Sequence, residues 1–229
     1  MKRYVIATIK SWNIRNAEFL IKKYSDADIR LVTKKEELTE SLIDEFDPEY
    51  IFFPHWSWII PKNIYEKYEC IVFHMTDLPF GRGGSPLQNL IVRGIYNTKV
   101  SAIKVSADVD AGAVYFKEPI DISHGNADEI LTNVSEIIFE KMIPRFIIEV
   151  PVAAPQTGKV VKFKRRTPEE SEIPVGLSQR QIYDYIRMLD GEGYPPAFIR
   201  CGNGKVIFSD AKMNSGVVSA KAKFVEVEN

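Results

Sequence analysis

The sequence predicts an α/β protein: a doubly wound, mostly parallel sheet followed by a small α+β C-terminal extension. Three observations carry that prediction. Short apolar runs alternate with helix-like stretches over about the first 120 residues, the pattern of parallel strands joined by crossover helices. A long amphipathic stretch then begins at Asn126. Beyond residue 150 prolines and glycines break the chain before short β segments return.

Taken in order, residues 4–9 read as a buried strand, and Ser11 is placed to cap a helix carrying Ala17, Phe19, Leu20 and Ile21. Residues 29–32 form a second strand. Leu38, Leu42, Ile43 and Phe46 repeat at helical spacing over 35–46. Strands follow at 50–54 and 70–74, with a short helix at 64–68 between them, then a helix at 85–93 and strands at 100–105 and 113–116. Asn126 opens the long helix with Glu129 as its capping-box partner, and Ile130, Val134, Ile137, Ile138, Ile143 and Phe146 keep its 3.6-residue period. After Pro151 the chain reads as a linker, then a helix over 179–189 with Ser178 as N-cap, then β segments at 198–200, 206–209 and 217–227.

Composition bounds the function. The chain has 229 residues, 45% hydrophobic and 27% charged, which suits a packed globular protein and not a disordered one. Lys and Arg number 30 against 31 Asp and Glu. Residues 151–229 hold 12 basic and 9 acidic groups, and residues 1–150 hold 18 and 22. So mild a basic tail argues against a large polyanion, and no nucleic-acid partner is expected. Cys70 and Cys201 lie far apart without a CxxC spacing, and His55, His74 and His124 lack ligand spacing, so neither a disulfide framework nor a metal is expected. The apolar run at 4–9 is too short for a signal peptide or a membrane span, so a cytoplasmic protein with no membrane partner is expected.

In an open parallel sheet, ligands sit beyond the carboxyl ends of the strands. Four segments meet that test: Lys10-Ser11-Trp12-Asn13, Pro54-His55-Trp56-Ser57-Trp58, His74-Met75-Thr76-Asp77 and Asp108-Val109-Asp110. The sharpest is the run from His74 through Leu78, Pro79, Arg82 and Gly83 to Pro86. There a histidine leaves a buried strand into a Gly/Pro-rich turn that can bring backbone N–H groups and an Arg to an anion.

The pattern His-x-Thr-x-Leu-Pro-x-x-Arg-Gly-x-x-Pro, with Asp110-Ala111-Gly112 placed 36 positions after His74, resembles the Rossmann-like formyltransferases that use 10-formyltetrahydrofolate. The resemblance covers about residues 1–150. It implies that an amine attacks the formyl carbon, with His74 and Asp110 as catalytic residues and Asp108 as a rival carboxylate. The family's catalytic Asn two places before the histidine is Val72 here. His55, Ser57, Thr76 and Asn13 are candidates to supply the missing donor, with His55 marginally the best placed. Trp56, Trp58, Ile60, Val105 and Asp108 are then expected around the folate, and Lys10, Trp12, Asn13, Thr76, Arg82 and Gly83 around the acceptor.

The segments 163–173 and 183–198, together with the openings around Trp12 and His55, resemble the sugar N-formyltransferases of pseudaminic-acid-type surface-glycan biosynthesis. That resemblance implies a UDP-linked 4-amino-4,6-dideoxy sugar as acceptor. Transfer to methionyl-tRNA or another amine, hydrolysis of formyltetrahydrofolate, and ligand binding without turnover are the alternatives. The expected organisation is a catalytic domain at 1–150, a linker at 151–177 and a small α+β region at 178–229, with homodimerisation left open.

Overall fold

A computed structural model describes residues 1–226, which divide into two compact units. The first comprises residues 1–82, 99–120 and 132–161, and the second residues 83–98, 121–131 and those from 162 onward.

The elements follow in order as β1 (Arg3–Ala7), α1 (Ser11–Lys23), β2 (Asp28–Val32), a 3-10 turn (Lys35–Glu37) and α2 (Glu40–Phe46). Then come β3 (Tyr50–Phe53), α3 (Lys62–Tyr65), β4 (Cys70–His74), β5 (Phe80–Gly83), α4 (Pro86–Ile91), β6 (Asn97–Lys104) and β7 (Val114–Asp121). After α5 (Ala127–Ile137), a π-turn (Ile138–Met142) and α6 (Ile143–Ile148), the chain continues through β8 (Val161–Phe163) and α7 (Gln179–Arg187). It closes with β9 (Phe198–Cys201), β10 (Gly204–Asn214) and β11 (Val217–Glu226).

The large sheet has the order β2-β1-β3-β4-β6-β7. β1, β2, β3 and β4 run parallel, whereas β6 is antiparallel to β4, so the α/β architecture with a mostly parallel sheet is found. Strand alternation sorts the side chains onto two faces. Val5, Ala7, Ile51, Phe53 and Cys70 pack in one cluster with Ile43, Phe46 and Ile64. Tyr4 and Phe52 form part of an aromatic cluster, and Phe52 lies 5.4 Å from Phe146.

Three local details differ from expectation. Ser11 is the first residue of α1 and not its cap; that place falls to Lys10, which makes no side-chain capping bond. The stretch 35–46 splits because the Thr39 hydroxyl accepts from the Leu42 amide (3.2 Å) and starts a new helix there. Residues 80–83, too glycine-rich to read as a strand, form β5 and pair with β8. The Asn126–Glu129 box forms in both directions, at 2.9 and 3.0 Å.

Residues 151–161, inside the stretch read as linker, are hydrogen-bonded into the first unit. Val114 and Ala154 exchange both backbone bonds, and the Val161 amide donates to the Pro79 carbonyl. In the second unit α7 is capped by Ser178, and β9, β10 and β11 form an antiparallel sheet. The expected strand end at Val227 lies outside the described residues. Among the described residues no helix is long and apolar enough to cross a membrane.

Candidate active site

β3 and β4 place the site. Phe53 pairs with Val72 in their parallel register. His74 is the last residue of β4, and His55 lies two residues beyond the end of β3. Val72 packs against the apolar cluster that Trp56 and Val105 also cover, so the position beneath the histidine is closed by hydrocarbon.

His74 Nε2 lies 2.8 Å from the Gly81 carbonyl oxygen. A carbonyl only accepts, so Nε2 carries a hydrogen and Nδ1 is the nitrogen turned to Asp110, 3.5 Å from its Oδ2. That separation is long for a hydrogen bond and short enough that a small rotation makes one. Both side chains keep a little exposure, 11% and 14%. Thr76 is fully buried, and its hydroxyl donates to the same Gly81 carbonyl (3.4 Å), so it supports the turn. Burial alone would raise the neighbouring Asp77 carboxyl, but Lys117 and Lys99 outweigh it and hold that carboxyl below its usual range.

Asp110 stands at φ +53°, in the left-handed region that few side chains other than Asn and Asp enter. Two residues on, only glycine fits. A Cβ at Gly112 would lie 1.7 Å from the Lys104 carbonyl oxygen, which accounts for the Asp-x-Gly pattern. Asp108, the rival carboxylate, is exposed because β6 ends at Lys104 and strand alternation no longer applies beyond it.

His55 also stands at φ +53°. Its Nδ1 is 2.9 Å from Asn13 Nδ2. Asn13 is fully buried, and the same amide nitrogen donates to the Pro54 carbonyl (3.3 Å) and the Thr8 hydroxyl oxygen (3.0 Å). Since the Thr8 hydroxyl donates to Pro54 (2.6 Å), it can only accept from Asn13, which fixes the amide orientation. Nδ1 of His55 is therefore an acceptor, and the neutral ring carries its proton on Nε2. Burial, aided by the Lys10 charge, pushes the His55 pKa down to about 4, so the ring stays neutral at pH 7.

Trp56 and Trp58 meet edge to face at 4.9 Å, Ile60 is buried in the cluster that Trp56 covers, and Trp58 keeps 37% exposure. Lys10 lies over the Trp12 ring at 5.3 Å. Trp12 Nε1, Asn13 Oδ1 and Trp56 Nε1 are buried without hydrogen-bond partners, an arrangement that costs free energy unless a ligand answers it.

Arg82 is engaged by a residue that sequence reasoning missed. Its Nε and Nη2 donate to Gln156 Oε1 at 3.1 and 2.8 Å, while Gln156 Nε2 donates to the Asp110 and Gly112 carbonyls, both at 2.8 Å. Gly83 belongs to the second unit, at φ +108°, where a Cβ would meet the Phe163 carbonyl oxygen at 2.4 Å. The structure thus gathers His74, Asp110 and Arg82 by direct contact or through Gln156, and separately His55, Asn13, Trp12 and Lys10.

Comparison with known proteins corrects the expected acceptor. Residues 168–225 match the model of the methionyl-tRNA formyltransferase C-terminal domain, and residues 13–147 match that of formyl transferase. A structure described as methionyl-tRNA formyltransferase from Clostridium thermocellum is 51% identical, with a TM-score of 0.96 over 99% of this chain and 100% of that one. The methionyl-tRNA formyltransferase of Rickettsia bellii is 30% identical over 146 residues, 62% of this chain and 48% of its own. The chain thus spans about half the length of the curated relatives it matches. A sugar N-formyltransferase from a Shewanella species has a TM-score of 0.71 over 91% of this chain and 97% of its own, but only 15% identity, and shares the fold alone.

The nucleotide-sugar acceptor, its surface-glycan pathway and the exclusion of nucleic acid are therefore overturned. The charge argument failed because a net sum says nothing of where the charge is displayed. In the second unit Lys162, Lys164 and Arg165 stay exposed close together in the chain. With the N-terminal family model matched across 13–147, this chain belongs to the formyl transferase family.

Proposed function

We propose that the chain formylates the amino group of methionyl-tRNA, in the cytoplasm, with 10-formyltetrahydrofolate as donor. The observation that carries this is the match of residues 168–225 to the C-terminal domain of methionyl-tRNA formyltransferases. The exposed run Lys162, Lys164 and Arg165 supports a phosphate-bearing acceptor.

The donor supplies a formyl carbon for the amine to attack: a C–N bond forms there, and the bond to the folate nitrogen breaks. The Asp110–His74 pair takes the proton that the incoming ammonium loses and returns one to the departing nitrogen. His55 Nε2–H, locked as a donor by Asn13, meets the negative charge growing on the formyl oxygen, in place of the amide that Val72 cannot provide. Because this imidazole is neutral, it donates a hydrogen bond and keeps its proton, as a fixed dipole does. Trp56, Trp58, Ile60 and Val105 suit the flat face of a pterin, and the unanswered Trp56 Nε1 and Asn13 Oδ1 suit its polar edge.

The test is formylation of charged initiator tRNA by the purified protein, with acid-gel separation of formylmethionyl-tRNA. Product formation that weakens steeply with salt is expected. If the donor turns over with another amine or with water while methionyl-tRNA stays unmodified, the acceptor assignment is wrong.

A further inference from the structure

The segment that follows α6 contributes one side chain to the reacting centre. Gln156 is half-buried, and all the hydrogen-bonding capacity of its amide that faces the protein is used. The oxygen accepts twice from the Arg82 guanidinium, and the nitrogen spends its two hydrogens on the carbonyls of Asp110 and Gly112. The flipped amide would set an NH2 against a guanidinium and an oxygen against two carbonyls, so chemistry alone decides its orientation.

Three features make this more than a tether. Asp110 is held in the left-handed region, where a side chain needs outside support to stay. Gly112 is jammed against the Lys104 carbonyl, so the loop has no room to re-pack. Arg82, which sits in the same turn as the Gly81 carbonyl that anchors His74, is the guanidinium that Gln156 reads. The two halves of the reacting pair are thus each tied to one amide: His74 through the Gly81–Arg82 turn, Asp110 through its own carbonyl.

We infer that Gln156 is a positioning residue that sets Asp110 against His74, and that Arg82 acts on the reaction through Gln156. This rests on His74 and Asp110 being the reacting pair, and it extends the site into a segment some 46 residues beyond Asp110.

Gln156→Met, close in size but without the amide, is expected to lower kcat by about 10- to 100-fold, as displacements near 1 Å do, with KM for both substrates within about threefold. Hydrogen–deuterium exchange over residues 106–113 should quicken by about tenfold or more, with peptides of β1 and β3 unchanged. Gln156→Glu serves as the second variant if Gln156→Met fails to fold; it keeps the Arg82 contact, loses both donors and should show the same split. Unchanged kcat beside a loosened loop overturns the inference. So does a fall in kcat with exchange unchanged, which would mark a direct contact, or a rise in KM with kcat intact, which would mark substrate binding. Wild-type turnover is the control: its absence on methionyl-tRNA sinks the acceptor assignment, while the exchange arm, which needs no acceptor, still reports on Gln156.

Discussion

In the second unit Arg187 is 1% exposed, and its guanidinium donates to Asp184 Oδ1 at 2.7 Å and to the Gly125 and Ile122 carbonyls at 2.9 and 3.0 Å. Asp184 accepts further bonds from Tyr96 and Arg180. Around the strand ends of the first unit the polar groups are also sheltered, yet Trp12 Nε1, Asn13 Oδ1 and Trp56 Nε1 have no hydrogen-bond partner. A saturated cluster can only hold the fold in place. An unsaturated one, kept from collapsing by the frame around it, has capacity left for a ligand.

That contrast is broken most directly at Asp110. Asp110→Asn should cut turnover by about 10³-fold or more while the melting temperature stays within a few degrees, because an amide cannot take the proton. Loss of activity together with loss of cooperative unfolding would place Asp110 among the structural groups instead.

The reverse experiment is Asp184→Ala. It leaves a buried guanidinium without its carboxylate and should cost about 3–5 kcal/mol of stability in urea titrations. A cost below about 1 kcal/mol would mean that the cluster is not built as described.

A third and smaller effect follows from His55. Its pKa is depressed to about 4 from 6.5, so the unfolded chain binds a proton at higher pH than the folded one. The resulting stability is complete above about pH 6.5 and is lost as pH falls towards 4, up to roughly 3 kcal/mol. His55→Gln should flatten that part of the stability–pH curve; an unchanged slope would show that the ring is not held neutral.

Much of this was legible in the sequence, and the exceptions have physical causes. Strands β1, β3 and β4 are continuous apolar runs because both faces are covered, and the histidine ending β4 stood out against them. Gly112 was marked by its fixed relation to Asp110, although the collision that requires it involves Lys104, a residue that periodicity does not connect to it. Gln156 left no signal. A lone Gln in a proline- and glycine-broken stretch looks like loop, and its partners lie 44 to 74 positions away. The acceptor was misread because a net charge summed over the tail hides the local display of Lys162, Lys164 and Arg165, which stand exposed close together in the chain.

The chain contains three tryptophans, Trp12, Trp56 and Trp58, and all three belong to the first unit, in the segments that follow β1 and β3. Tryptophan emission therefore comes wholly from this neighbourhood. Quenching on addition of tetrahydrofolate would report occupancy without any label, and unfolding confined to the second unit would pass unseen by that fluorescence and need tyrosine to detect it.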